Sequence, residues 1–154
     1  MQFETVRFGL IEFDEEDVLE FPVGIYGFER EQRFVLVPFD PNIDCPLQWL
    51  QSLTTPGLAF VVTDPYAFMP DYRWSLSLEE ERQVDKDGAD EISVLIIVTV
   101  PDAYTDMTGN FLAPLVINPR TRLARQVVLT TVEYDTRHYL LPDEVRAGAK
   151  IAAE

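Results

Sequence analysis

The chain has 154 residues, 27 Asp and Glu against 12 Lys and Arg, a formal charge of −15, and 47% hydrophobic residues. That length and apolar content fit one domain with a sizeable core and exclude a disordered acidic tail. Both halves are acidic, 13 acids to 4 bases in residues 1–77 and 14 to 8 in 78–154, so the field repels phosphate backbones and favours encounter with basic proteins.

Gln2 to Phe8 and Leu10 to Asp14 alternate around Gly9 and predict a hairpin, with Val6, Phe8, Ile11 and Phe13 as core candidates. Glu12 to Glu20 holds six acids in nine residues, Glu12, Asp14, Glu15, Glu16, Asp17 and Glu20. Nothing in the sequence makes them converge on a cation, and they read as a solvated turn. In Phe21 to Phe28 two glycines, Gly24 and Gly27, stand between aromatics. Left-handed or crowded backbone is expected there, with Phe21, Ile25 and Phe28 in the core.

Gln32 to Phe39 predicts a strand closed by Pro38. Leu47 to Leu53 and Leu58 to Val62 flank Thr54-Thr55-Pro56-Gly57 and predict a second hairpin. Its second arm carries no polar residue, so burial on both faces is expected. Thr63-Asp64-Pro65 ends it. Tyr66 to Pro70 is an aromatic loop between two prolines. Tyr72, Trp74 and Leu76 alternate with Arg73 and Ser75 as a half-buried strand would.

Ser77-Leu78-Glu79-Glu80 is a capping box that opens a short helix ending before Asp87-Gly88. Asp85, Asp87, Gly88 and Asp90 resemble a calcium loop only faintly, because Ile96 falls where its glutamate belongs. Ile92 to Val100 is the strongest strand and is expected at the centre of the sheet. Asn110 to Asn118 is another, and Pro114 within it argues for a sheet edge or bulge. Leu123 to Thr131 follows. From Met107 to Val132 the only acid-free, locally positive stretch carries Arg120, Arg122 and Arg125. Pro142 to Glu154 predicts a marginal helix with Val145, Ala149 and Ala152 on one side.

The sum is an all-β, β-dominated single domain: an antiparallel, partly closed barrel or sandwich of eight or nine strands, with one short internal helix and a short C-terminal one. Residues 1–135 form the barrel domain and 136–154 an extension. The longest apolar run falls short of the roughly 20 residues of a membrane span, and no secretory leader opens the sequence, so the expected address is the cytoplasm.

No catalytic set stands out. His138 is the sole imidazole and lacks a nucleophile elbow; Cys45, between Asp44 and Pro46, is placed in the opposite way to an activated thiol. No cofactor or metal is expected. The alternative from another class is a small acidic hydrolase using a carboxylate pair or His138, which would need carboxylates converging in a deep pocket. Direct nucleic-acid binding lacks the basic track it requires.

Several stretches resemble the bacterial flagellar assembly factor FliW family. They are Gly24-Ile25-Tyr26-Gly27-Phe28, Leu50 to Thr54 with Leu58-Ala59-Phe60, Asn110-x-x-Ala113-Pro114-x-Val116-Ile117-Asn118, and Gln126 to Leu129. The resemblance covers about residues 2 to 132; Tyr26 replaces an expected proline and Ala124 an expected glycine. It implies a small cytoplasmic β-barrel-like protein that acts by binding. Its implied partners are CsrA, a small RNA-binding dimer that represses flagellin translation, and flagellin itself, which competes for the same protein; an RNA-binding partner is expected to carry basic surface. No family motif assigns contact residues. Exposed aromatics beside a sheet edge are the usual anchors, which selects Tyr66, Phe68 and Met69, and from the Pro114 strand Asn110, Phe111, Asn118 and Arg120. The chain is expected to be a monomer when unbound.

Overall fold

In the computed structural model, residues 1–40, 42, 45–131 and 133–146 are described. The chain begins with the expected hairpin, β1 (Gln2–Thr5) and β2 (Gly9–Glu12), a two-stranded sheet of its own. It is shorter than its sequence pattern, since Thr5 Oγ1 accepts from the Phe8 amide and starts the turn early. Val6 therefore lies in the turn and is 78% exposed, not in the core, while Phe8, Ile11 and Phe13 are half-buried. Phe8 packs edge-on to Trp49, and the Val6 amide donates to the Pro56 carbonyl at 3.0 Å, which fixes the hairpin on the main sheet.

The main sheet comprises β3 (Leu19–Glu20), β4 (Arg33–Pro38), β5 (Leu47–Ser52), β6 (Ala59–Thr63), β7 (Ser93–Thr99), β8 (Thr108–Gly109), β9 (Leu115–Ile117), β10 (Ala124–Gln126) and β11 (His138–Tyr139). Its main path runs β10-β9-β7-β6-β5-β4-β3, with β8 on β7 and β11 on β8. The path curls until its ends meet: Glu20 forms a parallel bridge with Leu123, and the Glu20 amide donates to the Arg122 carbonyl at 2.9 Å. The result is a partly closed β-barrel.

Alternation along β7 shows why this strand tolerates no polar interior. Val94, Ile96 and Val98 face an outer cluster with Leu47, Tyr72, Phe111 and Leu140, whereas Leu95 and Ile97 face the barrel interior with Leu50, Val62 and Leu115. β7 contacts β6, β8 and β9 and is central, as its sequence predicts. The β5–β6 hairpin also forms as read. Its turn is tied by Gln51, fully buried, whose Nε2 donates to the Ser52, Pro56 and Leu58 carbonyls. Ser52 Oγ accepts from the Thr54 and Thr55 amides and donates to Glu31 at 2.6 Å. The Leu50-to-Thr54 motif is thus scaffold. The second arm is less enclosed than expected, with Ala59 to Val61 only half-buried.

Three further expectations are corrected. Of the two readings of Pro114, the edge is corrected and the bulge is what forms: β9 begins after the proline and lies between β7 and β10, and residues 110–114 stand opposite only Ile96 and Ile97 between the Val98–Gly109 and Leu95–Leu115 pairs. Pro114 instead uses its carbonyl, which accepts from the Val127 amide at 2.9 Å. Tyr72 to Leu76 keeps its alternating burial but joins no ladder among the described residues. Side chains replace one there: the Arg73 amide donates to Tyr134 Oη and Trp74 Nε1 to Tyr66 Oη, each at 2.9 Å. Phe28, finally, is 41% exposed and only leans edge-on against Phe60.

The helix α1 (Leu78–Gln83) carries the capping box its sequence announces, with Ser77 and Glu80 exchanging side-chain and backbone bonds. The chain continues in the sheet past residue 135, through β11 and the buried Leu140. Residues 143–146 are helical; Ala149 and Ala152 of the expected terminal helix lie outside the described residues.

Candidate functional site

The seven residues selected from sequence separate into two groups. Tyr66, Phe68, Met69, Asn110 and Phe111 belong to an aromatic layer over the outer face of the sheet. Tyr72 sits at its centre, with rings of Tyr66, Phe111 and Tyr134 packed edge-on at 6.0, 5.2 and 4.8 Å. The Tyr72 hydroxyl donates to the Phe111 carbonyl at 2.5 Å. Burial, then the neighbouring Tyr134 and Tyr66, push its ionisation above the ordinary phenol range. Phe111 is fully buried and is no exposed anchor. Phe68 and Met69 are half-buried against the same cluster, and Asn110 Oδ1 caps the Ala113 amide. Only Tyr66 reaches well into solvent, at 41% exposure.

Asn118 and Arg120 form a clamp. Asn118 is fully buried, and its Nδ2 donates to the Val84 and Asp85 carbonyls and to Asp90 Oδ2. Arg120 grips Asp90 through Nε and Nη2 and also reaches the Asp85 carbonyl. The Arg120 hydrogen bond, the Asp87 amide and Asn118 hold the Asp90 carboxyl well below the usual carboxylate range. The clamp ties the loop after α1 to the end of β9 and steadies Asp85, a non-glycine residue at φ +53°. Asp90 is thereby committed to Arg120. Among the described residues no group of acids, His and Cys is arranged to hold a metal ion.

Tyr66 of the first group, and Pro119 between Asn118 and Arg120 of the second, line a cleft of about 480 Å³, a volume typical of binding sites. It exists because β6 stops too soon. β6 pairs with β7 only at Val61–Thr63 opposite Ile96–Val98, then Asp64-Pro65 turns the chain away. Ser93 to Leu95 therefore keep β9 on one side and, among the described residues, have no strand on the other. Ile92, Ser93, Val94 and Leu95 all line the cleft, opposite Leu19 and Leu36, with Tyr66 and Trp74 beside them. Asp64 is the one carboxylate among the lining residues, and its Oδ1 caps the Tyr66 amide. Arg122 is the one cation; its Nη2 donates to the Asp17 carbonyl. This is an apolar trough along an unpaired strand edge, without converging carboxylates. His138 lies elsewhere, exposed and edge-on to Phe111.

Barrel closure, acidic exterior and edge-lined cleft together define a class: a small all-β barrel with a concavity that suits an apolar surface of another molecule. The FliW protein family model matches residues 2–140. Flagellar assembly factor FliW of Heliobacterium modesticaldum is 45% identical, with 92% of each chain covered, and that of Geobacillus kaustophilus is 40% identical over 94% of this chain and 99% of its own. A crystal structure of the flagellar assembly factor FliW superposes with a TM-score of 0.84 at 38% identity, over 94% of this chain and 99% of that one. The chain belongs to the FliW family.

Proposed function

We propose that this protein is a flagellar assembly factor that works by binding in the cytoplasm rather than by catalysis. It sequesters the translational repressor CsrA, relieving repression of flagellin mRNA, and it binds flagellin, so that newly made flagellin displaces CsrA. The single observation that carries this reading is the family match across residues 2–140. The charge of −15 supports it, since an RNA-binding partner presents basic surface and the acids that attract it also repel RNA phosphates. The cleft supports it as well, being lined mainly by apolar side chains along a strand edge.

Tyr66, at the cleft rim, is the sequence-selected residue best placed as an anchor, with Phe68 and Met69 supporting its loop. In the free state the protein is a monomer. Co-purification tests the reading: the tagged chain is passed over CsrA and over flagellin separately, at physiological salt. Retention of both partners, with flagellin releasing CsrA from a preformed complex, is the expected result. Retention of neither removes the functional assignment.

A further inference from the structure

Resting on that reading, we infer that the cleft beside β7 is the docking slot for the basic partner, and that the partner enters as an extended segment of alternating apolar and Lys/Arg residues paired with Ser93–Leu95. Three independent observations converge. First, Ser93–Leu95 carry a ladder on the β9 side only, and the four consecutive residues Ile92 to Leu95 line the cleft, so a backbone edge faces it. An added strand satisfies such an edge with main-chain hydrogen bonds. Second, Leu19, Leu36 and Leu95 give that strand's inward side chains an apolar seat.

Third, the surroundings select charge. Asp64 lines the cleft, Glu20 is bridged to Leu123 next to Arg122, and Glu91 directly precedes Ile92. None of these three acids takes part in an ion pair among the described residues. Arg122, the one cation lining the cleft, is engaged with the Asp17 carbonyl, and Arg33, the register partner of Glu20, is paired with Glu15. Outward side chains of the docked segment thus meet carboxylates, which favours Lys and Arg there and disfavours an acidic segment.

The test compares two double variants with the same net charge. Glu20→Lys with Glu91→Lys reverses the cleft rim. Glu4→Lys with Asp102→Lys places the same reversals in the N-terminal hairpin and beyond the far end of β7. All four positions are exposed, so folding is expected to survive, which thermal melting checks. CsrA is titrated against each variant, and amide exchange of residues 92–96 is followed with and without CsrA.

The rim variant should bind about tenfold or more weakly and the distant one within about twofold of the wild type. CsrA should protect the 92–96 amides. Equal effects of the two variants, or no protection, overturn the docking slot while leaving CsrA binding by the wild type intact. Protection by flagellin but not by CsrA overturns the assignment to a basic partner. Failure of the wild type to bind CsrA overturns both this slot and the function on which it rests.

Discussion

Asn118 Nδ2 donates to Asp90 Oδ2 at 3.0 Å, and through that bond the end of β9 holds the loop that follows α1. Both groups are mostly sealed from water, Asn118 completely and the Asp90 side chain to 12% exposure. Asn118 also satisfies the Val84 and Asp85 carbonyls. Asn118→Ala takes one donor from each acceptor, while Thr121 Oγ1 still serves the Val84 carbonyl and Arg120 still serves Asp85 and Asp90, so the loss of stability should be about 1–2 kcal/mol. Urea unfolding measures it. A change within experimental scatter would mean that Arg120 and Thr121 suffice to hold the loop.

The same clamp predicts a pH dependence. The folded pKa of Asp90 is depressed, so its contribution is fully present above the unfolded value of about 3.9 and is lost as pH falls from there through the folded value. Asp90→Asn removes that contribution. The gap in urea midpoint between wild type and variant should be constant from pH 7 to 5 and should shrink on further acidification. A gap that widened below pH 4 would have the wrong sign for a stabilised carboxylate.

Phe111 packs on Tyr72 and His138 and has no exposed surface, so truncation acts on the core. Phe111→Ala should cost about 3–5 kcal/mol and lower the melting temperature, with partner affinity of the folded fraction little changed. Tyr72→Phe keeps the ring and deletes only the bond to the Phe111 carbonyl, at about 1 kcal/mol. Comparable losses for the two would place the energy in that hydrogen bond rather than in packing.

What was legible in the sequence is what local chemistry decides. The β5–β6 turn, the Ser77–Glu80 cap and the apolar run of β7 each carry their signal within a few residues. Partner choice is not local. Pro114 argued for an edge, yet β9 is internal because it starts one residue later, and only the pairing with Val127 shows this. Phe111 and Asn118 looked like exposed anchors because a strand pattern does not tell which face is covered from outside. The cleft was invisible for a related reason: β6 ends opposite Ile96, three residues short of Ser93 at the start of β7, a matter of register between strands. A large aromatic between prolines signals a segment outside the strands, and Tyr66 does lie outside them, beside the cleft.

The two left-handed glycines of the Gly24–Phe28 loop separate steric from conformational cost. Gly24 has φ +71°, and a Cβ there would meet the Glu29 backbone at 2.5 Å; Gly27 has φ +87° but open space around it. Gly27→Ala should cost about 1–2 kcal/mol, the left-handed penalty alone. Gly24→Ala adds a clash with main chain that cannot rotate away, so its loss should be clearly larger. Thermal melts of the two variants decide. Equal losses would mean the Glu29 turn yields freely.

Electrostatic steering is checked by kinetics. With −15 on 154 residues, the field at the surface attracts a basic partner before contact, and its reach follows the Debye length, about 30 Å at 0.01 M salt and about 10 Å at 0.1 M. Steering acts on encounter, so the association rate with CsrA should fall by about tenfold or more between those salt concentrations. The dissociation rate should change far less if the docked state is held by the apolar and main-chain contacts proposed for the cleft. Stopped-flow or surface-based kinetics separate the two. An association rate insensitive to salt would show that the acids serve solubility only, and a dissociation rate carrying most of the salt effect would place charged pairs inside the interface instead of around it.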